Sequence, residues 1–138
     1  MPNSNKIFKG INVKGKVCVP SEIMEILAER NIREMQLTRG MDCCLWLFSV
    51  LAWEESRVRS IKGMEAYKDY VEIIEEMHKN AQRIAIKDHV LEIPKEYSSY
   101  AELKEKIVWV VCPDRLQIWD EDRWVKERKG KENWRGRY

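Results

Sequence analysis

Between Ile7 and Ile11 apolar and less apolar residues alternate, the two-residue period of a half-buried strand. The stretch Asn12-Val13-Lys14-Gly15-Lys16 follows as a turn with glycine at its bend, and residues 17–19 form a second short strand stopped by Pro20. The period then changes. Ile23, Ile26, Leu27 and Arg30 recur at helical spacing, with Ser21 placed to cap the helix. Strands at 35–38 and 44–48 flank an Arg-Gly-Met-Asp turn, and Ser49 caps a short helix that buries Trp53. Further on the same plan returns. Residues 83–94 read as strand, turn, strand and proline, and Ser99 with Glu102 forms a capping box for a helix. Strands at 107–111 and 116–119 flank a Cys-Pro-Asp turn, and Asp120 caps a last helix.

The two passages match residue for residue at their ends. In "TRGMDCCLWLFSVLAWEE" and "PDRLQIWDEDRWVKE", Leu45 corresponds to Leu116, Leu47 to Ile118 and Phe48 to Trp119. Ser49 then corresponds to Asp120 and Trp53 to Trp124, while Pro20 and Pro94 hold equivalent places. The stretch from Pro20 to Leu45 is three residues longer than that from Pro94 to Leu116, a loop-scale difference. This internal repeat predicts a first half-unit at 6–55, a connector at 56–82, a second half-unit at 83–127 and a basic tail at 128–138. Within the connector, Tyr67, Tyr70, Val71, Ile74 and Met77 are expected on one packing face of a helix, with Lys68, Glu72, Glu75 and Glu76 facing away. The tail is expected to fray, with a weak nucleic-acid contact as its one candidate role.

Composition narrows the function. Charged residues make up 35% of the chain but the net charge is only +2, so a nucleic-acid site has to come from local clustering. The longest apolar run, residues 43–53, is far below the ~20 residues of a membrane helix, and the N-terminus lacks a signal-peptide stretch. No membrane partner and a cytoplasmic setting are therefore expected. Cys18, Cys43, Cys44 and Cys112 form no Cys-x-x-Cys pair, and neither His78 nor His89 lies near them in sequence, so reduced, mostly buried thiols are expected rather than a metal site. No cofactor is expected either. Ser21, Ser98 and Ser99 have no histidine placed by a motif, and no glycine loop cradles a phosphate, so the chain does not read as an enzyme.

The order strand, "KGKVCVP", helix, "TRGMDCCLWLF", Trp53, repeated as "VLEIP", helix, "PDRLQIWDEDRW", resembles the MraZ proteins, bacterial transcription regulators of the AbrB/SpoVT superfamily. The resemblance spans about residues 6–127, and "TRGMDCCLWLF" is its most specific part. It implies an α+β, mainly β fold in which two AbrB-like half-units interlock as a swapped-hairpin β-barrel, with a helical connector and short helices. Each half exposes a strand pair too small to bury alone, and a shared barrel solves that. Trp46, out of phase with Leu45 and Leu47, is then expected to face another surface, such as a neighbouring subunit in a ring-shaped homo-oligomer.

The same resemblance places DNA contact in one loop of each half, where the family pattern is Asp-x-x-x-Arg. The first loop here has Asn12 and Lys16 at those positions, with Lys14 and Gly15 between. Asn12 can hold the turn through its side chain, and Lys16 keeps the charge without arginine's two-pronged grip on guanine. In the second loop Ile86 and Val90 replace both signature residues, His89 stands where Gly15 does, and Asp88 opposes Lys87 and His89. The implied partner is double-stranded DNA with repeated promoter sites upstream of a division and cell-wall gene cluster, in a nucleoid-associated protein. The alternative from another class is an oligomeric scaffold that has lost specific DNA binding.

Overall fold

The computed structural model describes the backbone of residues 6–135 and the side chains through residue 129. Its elements run β1 (Lys6–Val13), β2 (Lys16–Cys18), α1 (Ser21–Glu29), β3 (Glu34–Arg39), β4 (Leu45–Ser49) and α2 (Val50–Ile61). They continue with α3 (Lys68–Lys79), β5 (Gln82–Ala85), β6 (Val90–Glu92), α4 (Lys95–Tyr100), β7 (Lys106–Val111), β8 (Leu116–Asp120) and α5 (Glu121–Arg135). All eight strands form one antiparallel sheet in the order β5-β3-β4-β8-β7-β1-β2-β6. Its two outermost strands, β5 and β6, are consecutive in the chain and share a tight turn bridged at Lys87 and Val90. The sheet is thus a nearly closed barrel, and the fold is α+β and mainly β.

Register makes the repeat physical. β1 pairs with β7 and β5 pairs with β3, so each passage lends its first strand to the other. Between β4 and β8, Trp46 lies opposite its own counterpart Gln117, while Leu45 faces Ile118 and Leu47 faces Leu116. Between β2 and β6, Val17 likewise lies opposite its counterpart Leu91. A pseudo-twofold axis therefore crosses the barrel through these two strand pairs. Either passage alone would leave β1 or β5 as a bare ribbon, and pairing across the repeat removes those edges.

The barrel interior is apolar and drawn from both passages: Val17, Leu37, Leu45, Leu47, Leu91, Ile107, Trp109 and Ile118 are fully buried there. Gly10 has no side chain because the Trp109 indole covers it; a Cβ would sit 2.8 Å from Nε1. Outside the sheet, helical lids complete the burial. Phe48 meets Trp53 of α2 with ring centroids 4.9 Å apart, and Trp119 meets Trp124 of α5 at 5.3 Å, as the repeat leads one to expect. Val19, Phe48 and Trp119 are all buried. The Trp46 indole, expected on a neighbouring subunit, is half-buried within its own chain. It packs over the Cα of Gly40, and the Arg115 guanidinium stacks on it 4.4 Å from the ring centroid.

Helix starts depart from expectation. Ser49 does cap α2, accepting from the Ala52 N–H at 3.0 Å. Ser21 does not cap α1: that helix begins directly after Pro20, whose carbonyl accepts from Met24, and the Ser21 hydroxyl turns to Glu22. The proposed capping box at Ser99 and Glu102 lies at the end of α4, which starts earlier, after Pro94, in the same manner as α1. Proline suits that site because its φ is preset and a helix start has no use for its missing N–H. The Asp120 carboxylate, instead of capping α5, accepts from the backbone N–H of Lys104 at 3.1 Å and pairs with that residue's ammonium at 3.1 Å.

Two further corrections concern helices. On α3, Val71, Ile74 and His78 turn inward, whereas Tyr67, Tyr70 and Met77 are exposed. The stacking of His78 on Trp53 at 4.0 Å fixes that rotation. The tail was expected to fray from 128, yet α5 runs on through Arg135, a stretch rich in the good helix formers Lys, Glu and Arg. Residues 136–138 lie outside the described part.

Candidate nucleic-acid interface

The two loops turn out to be the same turn. Lys14 and Gly15 have φ of 52° and 89°, and Asp88 and His89 have 51° and 63°. Two successive left-handed residues make the two-residue hairpin whose twist matches its strands. Glycine enters that region without strain, and here it must, since a Cβ on Gly15 would also stand 3.1 Å from the Ile93 carbonyl oxygen. His89 adopts the same conformation with a side chain, so the second turn keeps its shape although it has lost the sequence pattern.

What holds each tip comes from the other half. The Gly15 carbonyl accepts from the Ile93 N–H at 2.7 Å, and the His89 carbonyl accepts from the Val19 N–H at 2.8 Å. Those two bonds sit at opposite ends of the β2–β6 ribbon. At about 3.3 Å per residue, four residues separate the tips by roughly 13 Å along the strands. The first tip is fastened further by Asn12, which is buried. Its side-chain oxygen accepts from the Gly15 N–H at 3.0 Å and its amide donates to the Lys104 carbonyl at 2.9 Å. Asn12 therefore shapes the loop from beneath, and both ends of its amide are engaged within the chain.

Lys14, Lys16, Lys87 and His89 are exposed, with Asp88 exposed between the last two. Lys16 stands opposite Glu92 in the ribbon register. Two lysines that the sequence pattern did not single out come to the first tip through the fold. Lys95 and Lys104 line one groove with Lys14 and Gly15. Lys95 gets there because β6 ends against the tip. Lys104 is held by Asp120, whose hydrogen bond and charge raise its pKa, so it is spoken for within the chain. The signal for Lys95 was its position just after Pro94, at the strand end that bonds Gly15. Charge thus gathers at the first tip, while the second carries Lys87 and His89 against Asp88.

Other chemistry is absent from the described residues in two respects. No cluster of three His, Cys, Asp or Glu side chains could hold a metal ion, and no helix is long and apolar enough to cross a membrane. The Cys44 thiol, buried beneath Trp46, is pushed from 9.0 up to about 12 by that burial, and burial raises Cys112 as well. Both stay protonated, and a protonated thiol is a poor nucleophile.

No protein-family model matches the chain. Among curated proteins it is similar to the transcriptional regulator MraZ of Ligilactobacillus salivarius, 31% identical over 115 residues, covering 83% of this chain and 78% of that protein. The transcriptional regulators MraZ of Acetivibrio thermocellus and Finegoldia magna are each 29% identical. The matches cover 89% and 87% of this chain, and 83% and 82% of those proteins.

Proposed function

Because the chain belongs to the MraZ family of transcriptional regulators, we propose that it binds duplex DNA through the two hairpin tips at the ends of the β2–β6 ribbon. The observation that carries this reading is the pair of left-handed turns, each anchored by the opposite half, with exposed cations at the first. Their separation of roughly 13 Å is close to the width of a B-DNA major groove, about 12 Å. On this reading Lys14, Lys16 and Lys95 meet phosphates, Lys87 and His89 add a weaker contact, and Asn12 with Gly15 keeps the first tip in shape. Lysines on phosphates position a protein without reading sequence, so selectivity arises from repetition.

Repetition requires several copies. In the proposed account the chains form a ring, and each weak tip is multiplied by its neighbours' effective concentration on an array of direct repeats. The target would be such repeats upstream of a division and cell-wall gene cluster, the protein acting at the nucleoid in the cytoplasm. Asp88 at the second tip favours one competing reading, an oligomeric scaffold without specific DNA binding. Titrating the protein onto its own upstream DNA and onto the same sequence with the repeats scrambled separates them. Regulation requires preference for intact repeats and affinity that falls steeply with salt; equal, salt-insensitive binding would leave the scaffold.

A further inference from the structure

The first tip rests on a path of hydrogen bonds that begins at the end of the second passage. Asp120, the last residue of β8, is buried, and its carboxylate reaches back to the link between α4 and β7. One oxygen accepts from the Lys104 N–H at 3.1 Å, and the other meets that residue's exposed ammonium at 3.1 Å. The link in turn holds Asn12 at two points. The Lys104 carbonyl accepts from the Asn12 side-chain amide at 2.9 Å, and the Glu105 carbonyl accepts from the Asn12 backbone N–H at 2.8 Å. The Asn12 side-chain oxygen then accepts from the Gly15 N–H at 3.0 Å. Hydrogen bonds therefore connect Asp120 to Gly15 without a break.

Among the described residues the second tip has no such path. The places of Asn12 and Asp120 are held there by Ile86 and Ser49. The isoleucine side chain carries no polar atom, and the Ser49 hydroxyl is engaged with the Ala52 N–H at the start of α2. The two halves thus make the same turn on different supports. Asparagine suits its place because it donates to one neighbour and accepts from another, whereas an ionised aspartate could only accept. Buried polar groups whose partners are all met hold a turn in one conformation, since other conformations leave a buried group unpaired. We infer that Asp120 is a positioning residue for the first tip, acting through Lys104 and Asn12 to present Lys14 and Lys16 in one arrangement. This rests on the reading that the tip meets DNA. Being buried, Asp120 adds no contact of its own; a tip ordered beforehand spares binding the cost of ordering it.

Amide exchange by NMR reads the two tips separately, Gly15 at the first and Val19, bonded to the His89 carbonyl, at the second. In the wild type the Lys104 N–H and the Asn12 side-chain amide should be protected together with Gly15; free exchange at either would break the path. Asp120→Ser installs the residue of the first passage, a helix cap that leaves Lys104 unheld, while Asp120→Asn keeps an oxygen for the Lys104 N–H. Thermal melts check that each variant is folded. In Asp120→Ser, exchange at Gly15 should quicken by up to about tenfold, the loss expected for one hydrogen bond, with Val19 unchanged and Asp120→Asn close to wild type. Affinity for the upstream repeats should fall by a similar factor, yet the logarithmic salt slope should not flatten, because no lysine has been removed. Adding Asp120→Ser to Asn12→Ala should change Gly15 exchange no further, since both cut one path. Unchanged Gly15 exchange in folded Asp120→Ser, or a full further effect on top of Asn12→Ala, would overturn the path. Quicker exchange with unaltered affinity would overturn its role in binding. A wild type indifferent to the repeats would remove the DNA reading alone, and Gly15 exchange would still decide whether Asp120 positions the tip.

Discussion

Gly15 and His89 share a backbone conformation but not its cost. A left-handed residue with a side chain is disfavoured by about 1–2 kcal/mol, and at Gly15 the added Cβ would also crowd the Ile93 carbonyl. Gly15→Ala should therefore lower stability by about 1–2 kcal/mol in denaturant unfolding, and more if Ile93 cannot shift. His89→Gly should raise it by less than about 1 kcal/mol, since relief of strain is partly offset by the freer unfolded chain. A loss at His89→Gly would mean that the imidazole itself supports the turn. Both turns were legible, the first through its glycine and the second through the repeat; what stayed hidden is that His89 takes the left-handed conformation with a side chain. A second residue-scale expectation concerns pH. Burial raises the Cys44 thiol, so its share of stability is complete below the unfolded value of 9.0 and is lost as pH rises toward about 12. In that window stability should fall by about 1.4 kcal/mol per pH unit for each such proton. Unfolding curves from pH 8 to 11 should show a shallower decline in Cys44→Ala than in the wild type.

Strands were readable where their neighbours are copies of themselves. Leu45 and Leu47 announced β4, and their counterparts announced β8, because a two-residue period with one buried face leaves little choice of register. Helices were less readable. A proline carbonyl opens α1 and α4, and the pattern of Ser and Glu side chains contains no trace of that. The rotation of α3 was hidden for another reason. Its apolar residues form a broad arc, and the docking of His78 on Trp53 selects which of them turn inward. The lids can be tested as elements. Trp119 is buried between the sheet and Trp124, so Trp119→Ala should cost about 3–5 kcal/mol in equilibrium unfolding. A cost under 1 kcal/mol would mean that α5 does not cover the barrel there.

At the scale of the whole molecule, the twofold that builds the barrel also duplicates the tips, yet the two tips differ in charge. The first gathers Lys14, Lys16 and Lys95, and the second sets Asp88 beside Lys87 and His89. The sequence pattern singles out each of these side chains except Lys95, which reaches the first tip only through the pairing of β2 with β6. The measurement that bears most directly on the proposed function is affinity for the upstream repeats across a salt series, read by fluorescence anisotropy. It compares the wild type with Lys14→Ala plus Lys16→Ala and with Lys87→Ala plus His89→Ala. Losing two phosphate contacts should flatten the logarithmic salt slope by about two for each first tip engaged, with melting temperature little changed. The second pair should flatten it clearly less. Unchanged slopes in both variants would contradict DNA contact through the hairpin tips.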